Sequence, residues 1–308
     1  MSANSRRRTP GVERLSRVDL PVRDLTRMAD FYARSLAFVA EGGAQRADDC
    51  DFLMMRLGRQ RIRLLQFDRP GRPYPAARTS ADTWFQHLAI VVSDMNEAYR
   101  RLADAPGVES ISQGGPQILP PNTGRVAAFK FRDPDGHPLE LLHFPGGASN
   151  AFWSSRGGEL FLGFDHSAIC VGELDRSLKF YVGLLGLTLS GQTLNSGPEQ
   201  SRLDALVDPV VDVLALAPAA QATPHVELLH YRAPRHGARP EQAPAPHDVA
   251  ASRLVFESRD LAGLASRLRD ASAPCVAEET DERGLLSVLV RDPDDRLVSI
   301  ERGGDERS

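Results

Sequence analysis

The sequence predicts an α+β fold of four βαβββ modules, and three observations carry that prediction. Four segments begin alike: Leu-Ser-Arg-Val-Asp-Leu-Pro-Val-Arg-Asp-Leu at 15–25, Phe-Gln-His-Leu-Ala-Ile-Val-Val-Ser-Asp-Met at 85–95, Phe-Asp-His-Ser-Ala-Ile-Cys-Val-Gly-Glu-Leu at 164–174 and Ala-Ser-Arg-Leu-Val-Phe-Glu-Ser-Arg-Asp-Leu at 251–261. Each reads as a strand closed by an acidic residue placed to start a helix. The helices alternate between two kinds, and two matched turns recur at 132–136 and 291–295.

The alternation defines the repeat. Helices of the first and third modules carry a Phe-Tyr pair, Phe31-Tyr32 and Phe180-Tyr181, followed by Leu36 and Leu185. Those of the second and fourth carry Arg-Leu, at Arg101-Leu102 and Arg267-Leu268, followed by a break. The repeat unit is therefore a pair of modules, used twice. After each helix come short β-rich runs ending in a final strand: Arg-Ile-Arg-Leu-Leu-Gln-Phe at 61–67, His-Pro-Leu-Glu-Leu-Leu-His-Phe at 137–144, His-Val-Glu-Leu-Leu-His-Tyr at 225–231 and Arg-Leu-Val-Ser-Ile-Glu at 296–301. In the even modules this strand follows Arg-Asp-Pro-Asp-Gly or Arg-Asp-Pro-Asp-Asp, chemistry that makes a tight reversal.

These features divide the chain. Residues 1–12 read as a disordered tail, 13–147 as a first domain with modules 13–68 and 83–147, 148–158 as a linker, and 159–303 as a second domain with modules 159–233 and 250–303. Proline-rich links at 68–82 and 232–249 separate modules within a pair.

Composition excludes several classes of partner. With 37 basic and 41 acidic residues interspersed, the net charge of −4 gives no reason to expect nucleic acid or an acidic membrane surface. The three cysteines are far apart, which fits a reducing cytoplasm better than a disulfide framework. Arg6, Arg7 and Arg8 lack the apolar stretch an export signal needs, and no run approaches the ~18 apolar residues of a membrane span. A small molecule is the expected partner, for a monomer or a homodimer.

Two modules carry chemistry. His87 and His166 stand near the start of matched first strands, and Glu140 and Glu227 interrupt apolar final strands. An inward acid is costly unless paired or bound to metal. Two imidazoles and two carboxylates form a metal-ligand set, provided the fold brings them together. With Glu227 inward, strand alternation puts Leu229 and Tyr231 on its face, making Tyr231 a pocket-lining candidate. His143 and His230 point the other way. The segment Asn-Ser-Gly-Pro-Glu-Gln at 195–200 reads as a hairpin turn, or else as a loop dipping Asn195 or Glu199 toward the ligand.

From about residue 14 to 302 the chain resembles the vicinal oxygen chelate superfamily, which includes glyoxalase I, extradiol dioxygenases and bleomycin-resistance proteins. Phe-Arg-Asp-Pro-Asp-Gly-His-Pro-Leu-Glu-Leu at 131–141 and the histidine-led first strands carry the resemblance. It implies paired modules forming open β cups, hence two glyoxalase-like domains, with ligands from the first and last strand of each module. Those positions are Arg17, His87, His166 and Arg253 on first strands, and Arg63, Glu140, Glu227 and Ser299 on last strands. Pairing modules two with three and one with four gathers His87, Glu140, His166 and Glu227 in one cup and Arg17, Arg63 and Arg253 in the other. The alternative, one with two and three with four, scatters half-sites. The segregation by chemistry favours the first. The arginines are then candidates for anion binding, or ion pairs with Asp19, Glu257 or solvent in a decayed site.

The function implied is that of a metal-dependent lyase, isomerase or epimerase using one divalent ion of Ni, Zn, Co, Fe or Mn. The ion would chelate neighbouring oxygens of a small carbonyl substrate, and Glu140 or Glu227 would be the base. The alternatives are a metal-free binding protein of the bleomycin-resistance type and a ring-cleaving extradiol dioxygenase, the latter disfavoured because module four lacks ligands.

Overall fold

The computed structural model describes residues 11–146, 152–153, 158–235 and 237–304. Module one runs through β1 (Arg14–Pro21), α1 (Leu25–Leu36), β2 (Val39–Ala40), β3 (Gln45–Ala47), β4 (Cys50–Leu57) and β5 (Gln60–Phe67). Module two comprises β6 (Gln86–Val92), α2 (Met95–Ala103), β7 (Glu109–Ser110), β8 (Gln117–Ile118), β9 (Ala127–Arg132) and β10 (Pro138–His143). Module three has β11 (Phe161–Cys170), α3 (Leu174–Leu178) running into a π-helical turn (Lys179–Leu184), β12 (Thr188–Ser196), α4 (Pro198–Asp204), β13 (Val210–Ala217) and β14 (His225–Ala233). Module four has β15 (Arg253–Ser258), α5 (Leu261–Asp270), β16 (Cys275–Asp281), β17 (Gly284–Arg291) and β18 (Leu297–Arg302).

The acidic residues after the first strands do start helices. Asp24, Asp94 and Asp260 each accept a hydrogen bond from the backbone N–H three residues on, satisfying a donor the helix itself leaves open. Glu173 precedes α3 without such a bond. Both Asp-Pro-Asp turns close as expected, Gly136 N–H donating to Asp133 O at 2.9 Å and Asp295 N–H to Asp292 O at 3.1 Å.

The strands form two nine-stranded sheets, and the sheets interleave the modules. One runs β16-β17-β18-β15-β1-β5-β4-β2, with β3 on β4, and joins module one to module four. The other runs β12-β13-β14-β11-β6-β10-β9-β7, with β8 on β9, and joins module two to module three. In each, two first strands pair antiparallel at the centre and each takes its own last strand as a parallel neighbour. This is the pairing that the segregation of histidines from arginines favoured.

One face of each sheet meets the helices. Leu88, Ile90 and Val92 of β6, Ile169 of β11 and Val171 just after it join the main apolar core with Met28, Tyr32 and Tyr181. The opposite face, the cup face, carries His87, Ala89 and Val91. The two proline-rich links pack on one another: Arg72 binds Asp248 through its N–H and guanidinium, and Ala238 N–H donates to Asp82. Gly71 and Gly237 are needed there, because a Cβ would stand 1.8 Å from His247 O and 2.1 Å from Asp82 Oδ1.

Of the expected tail, residues 1–10 lie outside the described residues. Val12 departs from that reading: it is buried, and its N–H donates to Leu185 O. Most of the expected linker also lies outside the described residues, but Trp153 is buried beside Val91 and Leu162. The segment 195–200 is not a hairpin turn. Asn195 sits within β12, opposite Val211, and Pro198 at the first helical position opens α4.

Candidate metal centre

Register builds the centre. In the parallel pairs Ala89 lies opposite Glu140 and Ala168 opposite Glu227, while across the central antiparallel pair His87 faces Ala168 and His166 faces Ala89. Paired and alternate positions share a face, so both imidazoles and both carboxylates enter one cup over two alanines that leave them room. A bulge between Phe164 and His166 adds the decisive turn. Strict alternation would put these two on one face; the extra residue leaves Phe164 in the core and swings His166, with Asp165, toward the cup.

The four side chains converge. His87 Nε2 lies 3.0 Å from Glu140 Oε2, and His166 Nε2 lies 3.8 Å from Glu140 Oε2 and 3.4 Å from Glu227 Oε2. His87, Glu140 and His166 are 2%, 5% and 5% exposed. Both Nε2 atoms are buried yet satisfy hydrogen-bond geometry with no partner, despite these short approaches. Ligand atoms of His87, Glu140 and His166 all lie within 4.8 Å of one another, a spacing that could hold a metal ion, while Glu227 approaches this group through His166 alone.

The electrostatics have the same form. Burial alone would lower His166, but Glu227, Asp165 and Glu140 overcome it and raise its pKa to about 9. Burial would raise Glu227, yet His166 and His225 bring it down to about 2. His87 is held below its ordinary value by burial, against the pull of Glu140. The cluster thus holds more negative than positive charge, and a proton on His166 stands where a dication would otherwise balance the carboxylates.

Three neighbours were not singled out from the sequence. Asp165 Oδ2 lies 3.2 Å from His166 Nδ1, the carboxylate support that orients a ligand imidazole. His225, the register partner of His166, puts Nε2 3.5 Å from Glu227 Oε1; Asp165, His166 and His225 make a second, overlapping group with ligand spacing. Lys130, the register partner of Glu140, is buried and pairs with Asp204 at 2.6 Å. Two of these were legible: period-two alternation from Glu227 reaches His225, and counting back from the Asp-Pro-Asp-Gly turn reaches Lys130. The bulge that turns Asp165 has no sequence mark.

The other expected residues fall as follows. Tyr231 is buried against Phe85, Ala168 and Leu229, its hydroxyl donating to Asp204 Oδ2 at 2.9 Å, and Gln200 Nε2 donates to the same oxygen. The segment after β12 does reach the cup, but through Gln200, Leu203 and Asp204 on α4. Glu199 instead stands 3.5 Å from Arg202. His143 and His230 point away, toward Val92 O and Asp212.

In the other cup the equivalent positions hold Arg17, Arg63, Arg253 and Ser299, with Asp19 where the first cup has Ala89. Asp19 is fully buried. It accepts from Arg17 Nε at 2.8 Å and from Arg63 through both its oxygens, and Arg17 also pairs with Glu301. The anion between Arg17 and Arg63 is therefore the chain's own carboxylate. Arg253 donates to Pro246 O, and its Nε is buried without an acceptor.

The model of the Glyoxalase/Bleomycin resistance protein/Dioxygenase superfamily matches residues 14–141 and 163–300. The chain belongs to this superfamily. Among solved structures the superfamily fold recurs along nearly the whole chain. Glyoxalase I from Zea mays superposes with a TM-score of 0.63 at 15% identity, covering 94% of this chain and 92% of that one. A mutant of the same Zea mays enzyme gives 0.64 at 15% identity, with 94% of each chain covered. A putative dioxygenase from Bacillus subtilis subsp. subtilis str. 168 gives 0.60 at 14% identity, covering 96% and 87%. A comparison with curated proteins returned no match. Among the described residues no helix is long and apolar enough to cross a membrane.

Proposed function

We propose that this superfamily member is a metal-dependent enzyme of the glyoxalase type, a lyase, isomerase or epimerase acting on a small carbonyl compound with two neighbouring oxygens. The observation that carries the reading is the convergence of His87, Glu140 and His166, whose ligand atoms all lie within 4.8 Å of one another, with Glu227 Oε2 3.4 Å from His166 Nε2. The donor set of two imidazoles and two carboxylates fits one divalent ion of the Ni, Zn, Co, Fe or Mn group. When bound, such an ion supplies Lewis-acid stabilisation of the charge that develops on the substrate oxygens.

The chain's own residues do the rest. Glu227 is the base in this reading, because its side chain is 20% exposed against 6% for Glu140. Asp165 keeps His166 in the tautomer that presents Nε2 to the cup. Apolar Phe85, Leu229 and Tyr231 restrict water around the reacting carbon. The expected setting is cytoplasmic, as a monomer or homodimer.

Solvent-deuterium exchange tests the chemistry. Incubating the protein in D2O with a panel of α-hydroxycarbonyl compounds and thiol adducts of 2-oxoaldehydes is expected to exchange the hydrogen next to the carbonyl. Exchange should be lost in Glu227→Gln and His166→Ala. Tight binding of an apolar ligand, with no exchange and no response to chelator, would turn the reading into that of a binding protein, and oxygen uptake with a catechol would make it a dioxygenase.

A further inference from the structure

Away from the cup, a cavity of about 390 Å³ opens between the first proline-rich link and the Asp133–Gly136 turn. Its volume is within the range of small-ligand sites. Its lining is unusually rich in guanidinium groups: Arg23, Arg78 and Arg132 all contribute.

The acids nearby do not neutralise all three. Asp133 Oδ1 accepts the N–H groups of Asp135, Gly136 and His137, and its Oδ2 meets the Tyr32 hydroxyl and His137 Nδ1. Asp135 is taken by Arg23, through the backbone N–H at 2.7 Å and Nε at 3.2 Å. Glu109 is then left to serve two cations: its Oε1 lies 2.8 Å from Arg132 Nη1, and its Oε2 stays 3.7 Å from Arg78 Nη2. Its side chain is 63% exposed, so it is a weakly held, displaceable partner.

The arginines, by contrast, are fixed and sheltered. Arg132 is 8% exposed, and its Nε is buried with no acceptor. Arg78 stacks over the Tyr74 ring at 4.9 Å. It passes so close to Gly136 that a Cβ there would meet its Nη1 at 2.7 Å. Burial first, and then the charge of Arg132, hold Arg78 below its ordinary pKa, as expected of a guanidinium short of counter-charge.

We propose that this cavity is a binding site for a small ligand bearing an oxyanion, a phosphate or a carboxylate, which displaces Glu109 and bridges the Arg78 and Arg132 guanidiniums. Planar guanidiniums bind such groups through paired hydrogen bonds. The site is independent of the metal centre and of the reaction assigned to it.

Titration calorimetry on the full chain, with inorganic phosphate and separately with acetate, tests the proposal. Saturable binding of at least one is expected, and the tighter of the two names the ligand class. Arg78→Gln and Arg132→Gln should each weaken binding at least about tenfold. Glu109→Gln, an exposed change that leaves the fold intact, should tighten it. Absence of saturable binding by the unmodified protein would overturn the proposal. So would binding that Glu109→Gln weakens or leaves unchanged, and so would binding untouched by both arginine variants, which would assign the anion to another site.

Discussion

Tyr32, on the first helix, donates its hydroxyl to Asp133 Oδ2 in the turn of the second module at 2.9 Å, and Tyr181 makes the same bond to Asp292 in the fourth. These bonds explain why Phe-Tyr marks the odd modules and Asp-Pro-Asp the even ones. Helix and turn bind modules one to two and three to four, while the sheets join two to three and one to four. Each module is thus held to one neighbour by its helix and to another by its strand. Both tyrosines are fully buried. Tyr32→Phe should cost about 1.5–3 kcal/mol, the range for a hydrogen bond to a charged group, and Tyr181→Phe a similar amount. The double variant should show nearly the sum in urea denaturation, since the two sites share no partner.

Asp19 sits between two arginines in a cup with no other buried acid among the described residues that reaches both. We propose a structural role for the arginine cup. Arg17 and Arg63, opposed by burial, outweigh it and keep Asp19 ionised below the usual carboxylate range. Asp19→Ala leaves those cations and Arg253 without their shared counter-charge, and should cost about 3–5 kcal/mol, read as a fall in the urea midpoint. Its stabilising effect is present above the ordinary carboxylate pKa and fades as pH falls through the lowered one, so the gap between Asp19→Ala and the unmodified protein should close in acid.

Lys130 and Asp204 form a buried pair beside the proposed centre, and Asp204 also accepts from Tyr231 and Gln200. Lys130→Met alone should be strongly destabilising, about 3–5 kcal/mol, because it strands the carboxylate. Lys130→Met with Asp204→Leu should recover much of that loss, a non-additivity that thermal melting of the four proteins measures.

Metal affinity should depend on pH in one direction. His166 carries a proton below about 9 in the free protein, and a ligand imidazole must lose it. Apparent affinity for Zn²⁺ or Ni²⁺ is therefore expected to rise about tenfold per pH unit up to that value and then level off. Competition with a chromophoric chelator between pH 6 and 9.5 reads this slope directly. A flat profile would mean that His166 does not bind the ion.

Much of this was legible because it rests on local rules. Strand, cap and turn chemistry marked out the modules, and the family resemblance picked out His87, Glu140, His166 and Glu227 as first-strand and last-strand positions, while alternation reached only the neighbours of the two glutamates. Pairing of distant modules became legible only through the segregation of imidazoles from guanidiniums. What stayed hidden depends on register or irregularity. The bulge that swings Asp165 inward breaks alternation, and Asp19 gains its role from strands 44 residues apart. Helix α4 was hidden inside a run of turn formers, where Pro198 starts a helix that carries Gln200 and Asp204 into the cup.

The metal content of protein purified without chelators tests the central claim most directly. Elemental analysis is expected to find about one divalent ion per chain, or uptake of one on addition of Ni²⁺, Zn²⁺, Co²⁺, Mn²⁺ or Fe²⁺, with loss in His87→Ala and His166→Ala variants that remain folded. Protein that carries no ion and takes up none of these, or binds one equally well without His87 and His166, would contradict it.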